Sequence, residues 1–137
     1  MGLDQYLYKT KREEVGYFRK VNFLQGYFER KYPERDLNCE YIEISEEEVT
    51  DIVNKCESIL RHVTFPVVEN NELPPTWKTE AVEIAQEVLP ITTGFFYGSD
   101  QYDAWYFLDV REVQKAFEKL LHETNFREET LEYYCWY

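Results

Sequence analysis

The feature that most restricts the fold is Ser45-Glu46-Glu47-Glu48 opening onto Val49, Ile52, Val53, Cys56, Ile59, Leu60 and Val63. Ser45 with Glu48 three residues on is a capping box, in which hydroxyl and carboxylate satisfy free backbone N–H groups at a helix start. Three glutamates in the first turn suit the positive end of the helix dipole. The apolar residues behind them form one stripe, so this helix must lay one face on a core. Cys56 lies on that stripe and reads as a buried, inert thiol.

Other elements must supply the cover. Gln5–Lys9 and Val15–Phe18 read as strands with a charged turn at Lys9–Glu14. Tyr17, Val21, Leu24 and Phe28 then recur at helical spacing, which predicts a helix over Arg19–Tyr32, weakened at Gly26 and closed by Pro33. Tyr41–Ile44 alternates as a short strand. Phe65–Trp77, with Pro66, Pro74, Pro75 and Asn70-Asn71, reads as a surface loop without regular structure. A helix beginning near Thr79 is closed by Pro90, and a strand is expected at Phe95–Tyr97. Tyr106, Val110, Val113, Phe117 and Leu120 mark a long helix from about Tyr102 to Glu123. Thr130–Tyr137 is β-favouring and reads as a C-terminal strand, with exposed rings that suit an edge able to pair with a second copy. Helices and strands without βαβ alternation point to an α+β fold, a small mixed or antiparallel sheet with three to four helices packed on it.

A chain of 137 residues with 44% apolar content fits a single domain, and 18% aromatics imply that rings fill much of the interior. Cys39, Cys56 and Cys135 show no CxxC spacing, so neither a disulfide framework nor a zinc site is expected, and a reducing cytoplasm fits best. No apolar run approaches a membrane span, and the N-terminus lacks a positively charged segment followed by an apolar one, so no membrane association or export by that route is expected. The formal charge of −12 argues against nucleic acid as a direct ligand. Residues 1–40 carry eight Lys/Arg against seven Asp/Glu and residues 41–137 seven against twenty, so the acidity belongs to the later part of the chain. It serves either solubility or a basic protein partner.

The unusual stretch is Thr92–Tyr106, with six aromatics, two glycines and two aspartates in fifteen positions, at a joint between strand and helix. Asp100, Asp103 and Asp109 lie in or just after it. Asp103, beside Tyr102 and Trp105, has the best claim to a shifted pKa; the competing reading is that Asp100 or Asp103 caps the long helix. A second polar cluster, Arg19-Lys20-Val21-Asn22 with Gln25, combines cations and amides as an anion site would, or simply faces solvent. His62 and His122 sit near helix ends, where the free carbonyls suit an imidazolium. No nucleotide-binding, hydrolase or metal motif accompanies them, so no cofactor and no enzymatic activity are expected.

Met1-Gly2-Leu3-Asp4 with Tyr6-Leu7, Gly16-Tyr17 with Arg19-Lys20 and Asn22, and Gly94-Phe95-Phe96 with Gly98-Ser99, Tyr102-Asp103 and Trp105 resemble a family of small proteins encoded by bacteriophages and prophages. The resemblance covers residues 1–25 and 92–110. Gln5, Phe18 and Ala104 stand where some members carry Met, Trp and Glu, and the last difference weakens any shared acid–base role. It implies an accessory protein of an infected or lysogenic bacterial cell, located in the cytoplasm. The leading expectation is a non-enzymatic inhibitor that binds a basic host or defence protein through its acidic surface, as a nucleic-acid mimic of the anti-CRISPR kind. The alternative is a binder of a nucleotide-like anion, with Arg19, Lys20, Asn22, Gln25, Tyr97, Ser99, Tyr102, Asp103 and Trp105 as ligand contacts. An enzyme using Asp103 with a tyrosine is the third reading.

Overall fold

Alternation along Asp4-Gln5-Tyr6-Leu7-Tyr8-Lys9 sends Gln5 and Leu7 to one face and Tyr6 and Tyr8 to the other, and the sheet follows from that split. The computed structural model describes residues 2–9, 13–93 and 100–137. Strands β1 (Asp4–Lys9), β2 (Glu13–Arg19), β3 (Tyr41–Ile44) and β8 (Leu131–Trp136) form an antiparallel sheet in the order β2-β1-β8-β3. The C-terminal strand expected at an edge is thus central. β1 and β3 pair with its two sides, and its inward residues Leu131, Tyr133 and Cys135 are buried. Edges fall to β2 and β3 instead. The expected strand Phe95–Tyr97 lies outside the described residues.

The inner face is covered by helices. Helix α1 (Asn22–Lys31) lays Phe28 on Tyr133 with ring centroids 4.2 Å apart, and α4 (Ala104–Glu123) brings Phe117 to within 6.2 Å of Phe18. Helix α2 (Glu46–Leu60) packs along α4, and α3 (Thr79–Val88) packs on α2. The capping box of α2 forms as expected: Ser45 Oγ accepts from Glu48 N and Glu48 Oε1 accepts from Ser45 N, both at 3.2 Å. Val49, Ile52, Val53, Cys56 and Ile59 are buried. Burial pushes the Cys56 thiol far above its usual range, as an inert core thiol requires. The fold is α+β. No helix among the described residues is long and apolar enough to cross a membrane.

Two local expectations are corrected. The helix expected from Arg19 starts at Asn22, because Lys20 takes a left-handed conformation at φ 56° that no helix admits. The loop expected at Phe65–Trp77 contains two short ladders. β4 (Val63–Thr64) pairs with β7 (Thr76–Trp77), and between them β5 (Val67–Val68) pairs with β6 (Asn71–Glu72). Glu69 and Asn70, both at positive φ, form the two-residue turn whose twist matches an antiparallel hairpin. Rings fill much of the interior, where Tyr133, Phe23, Phe28, Phe107 and Phe117 are the largest fully buried side chains, while Tyr6, Tyr8, Tyr17, Tyr41, Tyr134 and Trp136 occupy the outward positions of the sheet.

Gly26 has a reason that propensity does not express. It is buried in α1, and a Cβ built there would collide with the Thr92 side chain. Thr92 N also donates to Asn22 Oδ1 at 3.2 Å, one helical turn earlier. Glycine therefore permits the chain just before the aromatic stretch to lie directly on α1. In an exposed helix Gly→Ala stabilises by up to about 1 kcal/mol. Here Gly26→Ala is expected to destabilise by about 1–3 kcal/mol through overpacking, read from urea unfolding; a gain in stability would refute the close approach.

Candidate functional site

The site is assembled around the start of α4. Asp103 is extended and caps the helix, its Oδ1 accepting from Tyr106 N at 3.1 Å. Tyr106 Oη donates to the Leu89 carbonyl at 2.7 Å, and Tyr102 Oη accepts from Ile91 N at 3.1 Å. With the Asn22–Thr92 bond, these contacts tie residues 89–92 to both α1 and α4. Each uses a side chain to satisfy a backbone group that no strand or helix pairs.

On the α1 side, the position of the cations is set by the turn out of β2. Lys20 N donates to the Leu3 carbonyl at 2.8 Å, and the buried Gln5 amide holds Val21 through both of its backbone groups: Val21 N donates to Gln5 Oε1 at 2.9 Å, and Gln5 Nε2 donates to the Val21 carbonyl at 3.0 Å. Arg19 and Lys20 are exposed, lie against Gly2, and make no ion pair with another described residue.

Between these two supports lies a cavity of about 320 Å³. Phe23 and Tyr106, edge to face at 5.3 Å between centroids, belong to its lining, and Trp105, 72% exposed, stands beside them. Arg19 and Lys20 come from the β2 side. Asp103, Asp109 and Gln101 come from α4 and the residues before it, and Asn22 completes the lining. Burial, with the negative charges of Asp103 and Glu112 adding to it, pushes the Asp109 carboxyl up to about 7. The cavity thus combines fixed cations, aromatic surface and a carboxyl that changes charge near neutrality. Among the described residues no histidine, cysteine or serine lines it, and no three His, Cys, Asp or Glu side chains gather as metal ligands would.

The two sequence clusters therefore meet. Arg19, Lys20, Asn22, Asp103 and Trp105 share this cavity. Gln25 does not: it is fully buried, and its Oε1 accepts from Tyr133 Oη beneath α1, so it belongs to the core. Tyr102 spends its hydroxyl on the Ile91 backbone and its ring on Tyr106, supporting the wall rather than lining it. Tyr97 and Ser99 lie outside the described residues. Phe23, Gln101 and Tyr106 join the lining without a sequence expectation, and Asp109, noted in the sequence as a carboxylate near Asp103 but not as a ligand contact, joins it as well. The spacing Asp103-x-x-Tyr106-x-x-Asp109 carried the missed signal, since residues three apart line one helix face.

Comparison with protein-family models, curated proteins and solved structures gives no match to this chain.

A raised carboxyl pKa means that the folded state holds its proton more tightly than the unfolded one. The stability Asp109 contributes is then present below about pH 4 and lost as pH rises towards 7. Asp109→Asn, which keeps the neutral shape, is expected to match the parent protein at pH 4 and exceed it in Tm at pH 8. Parallel Tm–pH curves would contradict the raised pKa.

Proposed function

We propose that the chain is a non-enzymatic binding protein that captures a nucleotide-like anion in the cavity between β2, α1 and α4. The observation that carries this reading is the placement of Arg19 and Lys20, not engaged in ion pairs with other described residues, across from Trp105 and the Phe23–Tyr106 pair. Cations suit phosphate or carboxylate groups, and rings suit a planar heterocycle. Asp109, protonated or ionised according to pH, suits an exocyclic amine or ring nitrogen. The residues that carry the phage-family resemblance include Arg19, Lys20, Asn22, Asp103 and Trp105, and their convergence supports treating them as one unit. In this reading the chain acts in the cytoplasm of an infected or lysogenic bacterium.

Thermal shift against a nucleotide panel tests it. A ligand at 100 times its Kd stabilises by about 2.7 kcal/mol. Lys20→Gly is the informative variant: glycine relieves the left-handed strain, gaining about 1 kcal/mol, while deleting one cation. The expected result is a higher Tm without ligand and a smaller shift with it. A flat panel with the parent protein would remove this reading.

A second reading, inhibition of a basic host or defence protein through the acidic surface, is favoured by the charge carried on exposed Glu46, Glu47, Glu83 and Glu87 of α2 and α3. Carboxylates so displayed attract a surface that otherwise binds phosphate. The immobilised chain is then expected to retain a nucleic-acid-binding protein from bacterial lysate at low salt and to release it to competing DNA. Retention unaffected by DNA would count against mimicry.

A further inference from the structure

Helix α4 places two side chains of the cavity one above the other. Trp105 and Asp109 stand four residues apart on it, so they share a helix face, and both belong to the lining. A planar ring laid on the exposed Trp105 indole therefore turns one edge towards the Asp109 carboxyl. That carboxyl is half-buried, and among the described residues no hydrogen bond or ion pair engages it. The charges around it are Asp103 at the helix cap, Glu112 on α4, and Arg19 and Lys20 from the end of β2. Asn22 and Phe23, from α1, carry none, α2 adds nothing to the lining, and the Tyr106 hydroxyl is spent on the Leu89 carbonyl.

An ionised carboxyl only accepts, through two oxygens side by side. Its match is an edge with two adjacent donors. Among the common bases guanine alone has one, its ring N–H next to its amino group. Adenine, cytosine and uracil each set an acceptor beside a donor, and that acceptor would face a carboxylate oxygen. A guanidinium also offers two donors, but Arg19 and Lys20 repel a cation and favour an anionic group on the ligand.

We propose that the Asp109 carboxylate selects guanine among the bases held in the cavity, accepting from its ring N–H and its amino group while the ring lies on Trp105. This rests on the nucleotide-binding reading and names the base.

The test is calorimetry of the full chain with guanosine, adenosine, cytidine, uridine and inosine monophosphates and with free arginine. It is run at pH 8 and pH 6, on either side of the value of about 7 to which the Asp109 carboxyl is raised. At pH 8 the guanosine ligand is expected to bind about tenfold or more tighter than the others, as a bidentate base contact provides. Inosine monophosphate, which lacks only the amino group, isolates the second hydrogen bond. At pH 6 the protonated carboxyl donates as well as accepts and pairs with any of these edges, so the preference narrows. Asp109→Asn, likewise donor and acceptor, should show the narrowed preference at both pH values. Trp105→Ala, at an exposed position, should weaken all the nucleotides alike by about tenfold through lost stacking.

A guanine preference that is the same at both pH values or survives in Asp109→Asn, unchanged affinity in Trp105→Ala, or tighter binding of free arginine than of the guanosine ligand would overturn the proposal. If the nucleotides bind without regard to base at pH 8, the nucleotide-binding reading stands and this one falls; if none binds, both fall.

Discussion

One amide group holds the architecture in register. Gln5 is fully buried in β1, yet its side chain makes the hydrogen bonds that a neighbouring strand would make, one to each backbone group of Val21, and a further one from Nε2 to Tyr133 Oη. Helix α1 has no capping side chain at Val21, and the Gln5 amide instead holds that residue's own N–H and carbonyl at the helix start. Leaving a buried donor or acceptor unpaired costs about 1–3 kcal/mol each, so no apolar residue of similar size is equivalent. The consequence reaches the cavity. With Val21 pinned from below and Lys20 N bound to the Leu3 carbonyl, the chain between sheet and helix has one path, and it presents Arg19 and Lys20 beside Asn22.

Periodicity made the regular elements legible. The capping box, the apolar stripe of α2 and the four-and-three spacing of α4 each encode a local requirement that neighbours in sequence satisfy. The cavity was legible in part, because unusual polar-aromatic composition marked both of its sides, though nothing in the pattern showed that they meet. What escaped depended on contacts distant in sequence. Gln25 looks like any polar helix residue until Tyr133 is placed beside it. Gly26 looks like a weakness in a helix until Thr92 arrives against it. The central place of β8 was hidden for the same reason, since its rings alternate between core and solvent and read equally well as an edge. The tyrosine face is the other side of that alternation.

Arg19 stands where the outer face of the sheet meets the cavity. By register it opposes Asp4 at the margin of the outer face, and by position it belongs to the lining of the cavity. Tyr17, two residues earlier, donates to Asp4 Oδ1 at 2.6 Å, and that bond, with burial and the Asp4 charge, holds its hydroxyl above the usual phenol range. A single edge strand thereby supplies a ring to one surface and a cation to the other. The core behind them is built from α1, α2, α3, α4 and the inner face of the sheet.

The central position of β8 also bears on how the chain reaches its native state. Strand β1 pairs with β2 nearby, but its other side waits for residues 131–136, and the hydrogen bond from Gln5 to Tyr133 joins groups 128 positions apart. Until that closure, the inward side chains of β1 and the Gln5 amide lack half their setting. Loop-closure entropy must be met before such distant contacts give anything back, and topologies of this kind fold slowly for their size. During synthesis the amino-terminal hairpin is therefore a strand pair with an open side, and the docking of the last strand is the event that turns a partial sheet into a finished one.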